Sequence, residues 1–448
     1  MSFVMSKLFI NKWRSIVNNA HLLEILKGSF FGLCFKVTGL GLGYLFIFLI
    51  AKNYGAEGVG LYVLTFTYLS IGVLFAKMGL DINIMKQVSR YFNQSGFSKV
   101  KGIYLTSIEI LLLASMVVVG IFVFLSSYSA LYVFHDESLI RPFFYASFII
   151  FPLAVLQFHA ESLRGCKKIS LYFIINNNLI TFFSIIFLYI GFSYKVTDYD
   201  FIDVYFLSVI IVAVIATLIW LSIFNPSLYN SGVKVQKSTI LKDSFPLMIS
   251  GSLTLLMSWM DILMLGAFID KESVGVYSVA AKLAVIASIA LVAVNSIVAP
   301  KISYEYIHGN TSGLKVIVNY ASKLTCWFSG PILVVLIFFP DFILLHFGQE
   351  FVSASFVLII LAIGQFINSV CGPVGHILNM TDSQKVFRNI MFIVLILNFF
   401  LNYLLIPVFG INGAAIATAV SVASWNLIAI IYIYKKMGFL AFYIPFRK

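Results

Sequence analysis

Apolar and polar positions along this chain fall into long blocks, not into the short alternations of half-buried strands. Runs of about 20 apolar residues recur between brief polar turns, and at 1.5 Å per residue such a run crosses a bilayer as a helix. Twelve predicted spans follow: 29–50, 59–78, 103–125, 142–163, 169–191, 204–224, 244–267, 274–298, 316–339, 352–372, 387–407 and 412–434. With the N-terminus inside, the longest inner connection is 79–102 and the longest outer one is 126–141. Neither reaches the roughly 50 residues of a separate soluble domain.

One block occurs twice. The stretch from Lys27 to Tyr62 reappears 215 positions later, from Lys242 to Tyr277. Lys27, Ser29 and Phe30 fall on Lys242, Ser244 and Phe245; Glu57, Val59, Gly60 and Tyr62 fall on Glu272, Val274, Gly275 and Tyr277. A repeat at half the chain length predicts two stacked halves, which in membrane proteins often enclose a substrate site. The halves are 1–224 and 225–448, divided at a polar linker that begins Asn225-Pro226-Ser227. Six spans in each half give both the same orientation, so the symmetry axis runs along the membrane normal.

Charge fixes the orientation. With the N-terminus inside, the inner segments hold 22 Lys and Arg residues and the outer loops only Lys52, Arg141, Lys195 and Lys271. Lys and Arg stay on the cytoplasmic side of short loops. The expectation is an all-α integral membrane protein with twelve transmembrane helices in two pseudo-symmetric six-helix bundles and both termini cytoplasmic.

Composition agrees. Hydrophobic residues make up 61% of the chain, charged residues 11%, and the mean hydropathy is +1.00, where a soluble domain carries about 25% charged residues. The net charge of +12 would suggest nucleic acid in a soluble protein; here topology accounts for it, and no nucleic-acid partner is expected. Cys34, Cys166, Cys326 and Cys371 have no metal-ligand spacing, and free thiols are expected. The first apolar run is too long for a signal-peptide core, and no cleavage site follows it.

No HExxH, Walker loop or serine elbow is present, so no catalytic residue, metal or cofactor is expected. Gly39 and Gly43 lie inside a span, where a GxxxG pair favours close helix approach over nucleotide binding. The informative residues are charges within spans, which are costly there and mark a pathway or a pair. Lys36 lies roughly 10 Å from the inner end of span 1, on a face with Ser29, Gly32, Gly39 and Gly43. It either faces a polar interior or snorkels to the interface. Lys282 lies roughly 12 Å into span 8, as a ligand contact or as the ion-pair partner of Asp261. Asp261, with Ser250, Thr254 and Ser258 near its face, is a gate or proton site or else a polar helix contact. Glu109 and Glu161 lie nearer the inner ends of spans 3 and 4. They are further gating or ion-coupling candidates, and Glu161 could instead pair with Arg164 at i+3. Lys77 and Lys323 suit snorkelling, and His159 suits a hydrogen-bonded core position. A deep lysine in each half suits an anionic ligand, phosphate first.

These residues also carry a resemblance. Lys27-Gly28-Ser29, Gly55-Ala56-Glu57-Gly58-Val59-Gly60-Leu61-Tyr62, Phe245-Pro246 with Asp261, and Val274-Gly275-Val276-Tyr277-Ser278 resemble the flippases of O-antigen and polysaccharide repeat units. So do Asn398, Asn402, Pro407 and Gly410-Ile411-Asn412-Gly413-Ala414-Ala415. That family belongs to the multidrug/oligosaccharidyl-lipid/polysaccharide exporter superfamily. The resemblance implies movement of undecaprenyl-diphosphate-linked oligosaccharide across a bacterial inner membrane by alternating access. It also implies a cationic cavity including Lys36, contact with membrane lipid, and a polymerase and chain-length regulator as pathway partners. Ion coupling is an expectation by family analogy. Two other classes compete. A multidrug or organic-cation antiporter of the same superfamily would want buried acids facing the substrate. A membrane polymerase would want a large outer loop with arginines, where the longest outer loop holds Arg141 alone.

Overall fold

The computed structural model describes residues 20–91, 97–193, 201–224 and 235–442. The basic residues Lys7, Lys12, Arg14, Lys195, Lys234, Arg447 and Lys448 lie outside the described residues, as does the first part of the linker, 225–234.

Among the described residues every regular element is a helix. The first, α1, runs Ala20–Lys77. At 1.5 Å per residue its 58 residues would reach roughly 87 Å, nearly three times a hydrocarbon core of about 30 Å. The helix is broken at Gly55, whose φ of 66° and ψ of −167° are not helical. Glycine takes that conformation without a Cβ penalty. Two arms result, 20–54 and 56–77. The Glu350 carboxylate caps the second by accepting from the Ala56 N–H at 2.6 Å.

The N-terminal half continues with α2 (Leu80–Tyr91), α3 (Phe97–Tyr128) and α4 (Ile140–Gly165). Next, α5 (Ile169–Phe173) passes through a π turn into α6 (Leu179–Ser193), and α7 (Phe201–Ile223) follows. The C-terminal half begins with α8 (Lys237–Phe268) and α9 (Lys271–Val285), which a 3₁₀ turn joins to α10 (Ile289–Ile307). It ends with α11 (Thr311–Phe338), α12 (Pro340–Leu345), α13 (Ser355–Cys371), α14 (Val374–Met380), α15 (Gln384–Phe409) and α16 (Ile411–Met437). Each of the twelve apolar runs is helical over nearly all its length, though 169–191, 274–298 and 352–372 pass through a π or 3₁₀ turn.

By length and apolarity, ten helices can cross a membrane, or up to eleven if a bent pair in α8 is one span. The segment Cys34–Lys77, with its break at Gly55, is one of the ten. In α8 the segments Lys237–Leu253 and Leu255–Phe268 meet at 53°. Ser250-Gly251-Ser252 directly precedes the bend, and Gly/Ser pairs are a common cause of sharp kinks.

The outer surface is that of a protein in lipid. Leu113, Met116, Val117, Ile121 and Phe124 form an exposed stripe on α3, with Phe124 84% accessible. Water would penalise such a continuous apolar face; hydrocarbon does not, provided the backbone is helical. The chain is a multi-pass membrane protein. One large core joins the N-terminal half to α8, α9 and α13, and a smaller one joins α10, α11, α14, α15 and α16.

Candidate functional site

The two repeats meet at their own repeated motif. The second arm of α1 packs on α9 so closely that a β-carbon on Gly60 would overlap the Lys271 carbonyl, and one on Gly275 would overlap the Ala56 carbonyl. Side chains fasten the same end. The Lys271 ammonium lies 2.7 Å from Glu57 and 3.1 Å from Asp136 and donates to Ser138 Oγ at 2.6 Å. Burial raises the Asp136 carboxyl, but hydrogen bonds from Ser138 and the Lys271 ammonium outweigh it and hold the group below the usual carboxylate range. Ala56 and Lys271 are equivalent in the repeat. Each receives a carboxylate from the opposite half, Glu350 on Ala56 and Asp136 on Lys271.

Beyond this contact lies a cavity of about 650 Å³. Six segments form its wall: the second arm of α1 (Tyr62–Thr67), α8, α9, α13, α15 and α16. Asp261 and Lys282 both line it, with Trp259, Trp425, Gln365 and Ser421. This is a walled space with aromatic faces, amides, hydroxyls and one charge of each sign.

Asp261 is 5% accessible. Its carboxylate accepts from Tyr277 Oη at 2.6 Å, from Asn402 Nδ2 at 2.8 Å and from Thr418 Oγ1. Asn402 also donates to Asn398 at 3.2 Å. A buried carboxylate is tolerated only when such donors replace its water. The equivalent positions in the first repeat are Phe46 and Tyr62, which meet edge to face at 5.4 Å. One repeat therefore carries an aromatic contact where the other carries a carboxylate network.

Lys282 makes no ion pair with Asp261, whose oxygens are taken by neutral donors. Among the described residues its ammonium has no side-chain partner, and the side chain is exposed on the cavity wall. Its carbonyl accepts from Tyr44 Oη at 2.6 Å, which ties α9 to the first arm of α1.

The other predicted residues are dispersed. Lys36 is exposed and does not line this cavity. It lies near His376 of the opposite half; burial, and then the Lys36 ammonium, hold that imidazole below its ordinary pKa. The His376 Nδ1 atom is buried and has no hydrogen-bond partner among the described residues. Glu109 pairs with Lys237 of α8 at 2.5 Å, an exposed contact between the halves. Glu161 sits 3.2 Å from Arg164, the i+3 pair that spacing allows. His159 is a core residue, held by Tyr104 Oη at 3.0 Å and Thr217 Oγ1 at 3.1 Å. The side chains of Ser250 and Thr254 lie outside the described residues.

Sequence reasoning missed two groups. Thr418 and Tyr277 complete the Asp261 shell, for which Asn398 and Asn402, one turn apart in an apolar run, were a usable signal. Lys271, Glu57, Asp136 and Glu350 form the inter-half fastening. Their only signal was the repeat itself, because their partners lie 135 to 294 positions away.

The described helices thus form a multi-pass membrane protein in which the two copies of the repeat touch at one end, beside a cavity lined by Asp261 and Lys282. Residues 25–304 match the family described as Polysaccharide biosynthesis protein, more than half of the chain, and the chain belongs to that family. Residues 246–404 match the family described as MatE. A stretch of 167 residues is 32% identical to a protein of Haloferax volcanii described as a probable low-salt glycan biosynthesis flippase. That stretch covers 37% of this chain and 35% of the relative, so the match spans about a third of the relative's length. The fold is similar to that of the lipid II flippase MurJ in an inward closed conformation, with a TM-score of 0.70 and 17% identity over 89% of this chain and 86% of that one. It is also similar to the inward-facing conformation of a multidrug resistance MATE family transporter, with a TM-score of 0.67 and 12% identity over 90% and 94%.

Proposed function

We propose that this protein is a flippase that carries lipid-linked oligosaccharide, with a diphosphate-linked polyprenyl anchor, from the cytoplasmic to the outer leaflet. One observation carries the reading: within a polysaccharide-biosynthesis family member, a cavity between apolar helices displays Lys282, unpaired among the described residues, beside aromatic and amide groups. Aromatic faces suit sugar rings and a lysine suits phosphate. Moving a bare diphosphate through hydrocarbon is prohibitive, so a polar route is required.

In this reading the chain crosses the membrane twelve times, as bundles 1–224 and 225–448 with both termini cytoplasmic. Counting the arms of α1 as two crossings and the bent α8 as one supports that number. The Gly60–Gly275 contact then lies on the outer side, and the structure corresponds to a state closed outward. Lys36 meets the headgroup first and Lys282 holds it deeper. Asp261 couples the cycle to an ion, and Glu109 with Lys237 forms an inner contact between the halves; Glu161 is held in its pair with Arg164. The residues do no covalent chemistry. The setting is a bacterial inner membrane, the cargo an O-antigen or related repeat unit, and a polymerase and a chain-length regulator act downstream.

The test is transport of a defined lipid-linked oligosaccharide in vesicles with and without a proton gradient. No transport under either condition by correctly folded protein would overturn the reading. A second reading, an organic-cation antiporter, is favoured by one fact: Asp261 lines the cavity. Cation uptake that depends on Asp261, with no movement of lipid-linked glycan, would select it.

A further inference from the structure

A second cavity of about 320 Å³ adjoins the first. Asn379, Gln384, Lys385 and Arg388 line it, and Phe387 and Met391 line both cavities. At about 30 Å³ per water molecule, it has room for a diphosphate with part of its hydration.

Two independent features make this space electropositive. The first is side-chain charge. Lys385 and Arg388, one helical turn apart, are exposed and form no ion pair among the described residues. The contact Arg388 does make is a long one, Nη2 to Asn389 Oδ1 at 3.4 Å. The nearest carboxylate along the chain, Asp382, is exposed and pairs with neither. A third cation, Lys436 of α16, reaches the same turn, donating to the Thr381 carbonyl and to Ser383 Oγ, both at 2.8 Å.

The second feature is the backbone. α15 begins at Gln384, in this wall. The preceding residue, Ser383, makes no side-chain cap. Its hydroxyl donates instead to the Thr381 carbonyl at 3.2 Å. The leading N–H groups of a 26-residue helix are thus left without a capping side chain, with the partial positive charge of a helix N-terminus behind them. Cations are unfavourable at that end of a helix, so like charges gather here with no acid paired to them among the described residues. A bound anion relieves both. Retention of Lys and Arg in cytoplasmic loops explains their sign; it does not explain why they line a cavity at an uncapped helix end.

We infer that this second cavity is an anion-binding vestibule for the diphosphate of the substrate, which then passes Phe387 and Met391 to reach Lys282. The inference rests on the flippase reading for its ligand, and inorganic pyrophosphate carries the same chemistry as the lipid headgroup.

The test uses the full chain in nanodiscs and calorimetric binding of two probes, inorganic pyrophosphate in solution and a polyprenyl diphosphate in the nanodisc lipid. The variant Lys385→Gln/Arg388→Gln should weaken binding at least about tenfold, as expected for removing two charge-assisted contacts. Lys385→Arg should keep it, and Lys315→Gln, at an exposed lysine that lines neither cavity, should change pyrophosphate binding less than about twofold. If the double variant is not monodisperse, the single variants carry the test, each about threefold weaker. Loss with both probes assigns the site to the diphosphate itself; loss with the lipid alone assigns it to the headgroup in its membrane. Unchanged binding in the folded variants, or no binding of either probe by the unmodified protein, overturns the site. Binding that depends on Lys385 and Arg388 in a protein that moves no lipid-linked glycan would leave the site standing and sink the flippase reading instead.

Discussion

Gly60 and Gly275, 215 positions apart and equivalent in the internal repeat, pack against each other with no room for a β-carbon on either. The repeat therefore does more than duplicate a bundle. Its most recognisable motif is the surface through which the two copies touch. Only hydrogen at Cα lets the helix backbones come this close, as small residues do at membrane helix interfaces generally.

Gly60→Ala and Gly275→Ala should each force the second arm of α1 away from α9. Overpacking of this kind costs about 1–3 kcal/mol. The expected outcome is a lower thermal midpoint in detergent and faster thiol labelling of a cysteine placed at Ser273. Unchanged labelling in both variants would show that the contact is not what closes this end.

Acid should loosen the same contact. Asp136 is held below the usual carboxylate range, so its contribution is complete above the ordinary carboxylate pKa of about 4. It is lost as pH falls through the lowered value of the folded protein. Labelling at this end, taken relative to a fully exposed cysteine at the same pH because the thiolate is the reactive form, should rise as pH drops below about 4. Asp136→Asn should remove that dependence and give faster labelling at neutral pH. A pH profile identical in Asp136→Asn and the unmodified protein would exclude Asp136 as its source.

Asp261 separates shape from charge. Asp261→Asn keeps a hydrogen-bonding side chain for Tyr277, Asn402 and Thr418. It should leave the thermal midpoint nearly unchanged while abolishing the effect of an ion gradient on transport. Asp261→Leu leaves those buried groups without their acceptor, at about 1–3 kcal/mol each, and should lower the midpoint clearly. If Asp261→Asn retains full gradient dependence, the carboxylate serves structure alone.

For the lysines, Lys36→Ala and Lys282→Ala should stop export at normal protein levels, and Lys36→Arg should keep part of it. Because Asp261 is occupied by neutral donors, removing it should not rescue Lys282→Ala. Rescue by Lys282→Ala/Asp261→Ala would reveal an ion pair in another state of the cycle. Normal export by Lys36→Ala would reduce that lysine to a snorkelling role.

The sequence by itself determined the helical class, the positions of the apolar runs and the presence of two related halves. Bilayer thickness imposes a run length, and a repeat is a property of order along the chain. It also picked out Asp261 and Lys282, because charge in an apolar run is conspicuous. The tertiary structure decided what those residues touch. It put Asp261 among Tyr277, Asn402 and Thr418 instead of beside Lys282, and it left Lys36 outside the cavity that Lys282 lines. It also joined Lys271 to Glu57 and Asp136, and Glu350 to Ala56, across the two halves. Helical spacing predicts neighbours three or four positions away, such as Glu161 and Arg164. Pairing between helices depends on rotation, crossing and the break at Gly55, and these are set only when all the helices pack at once.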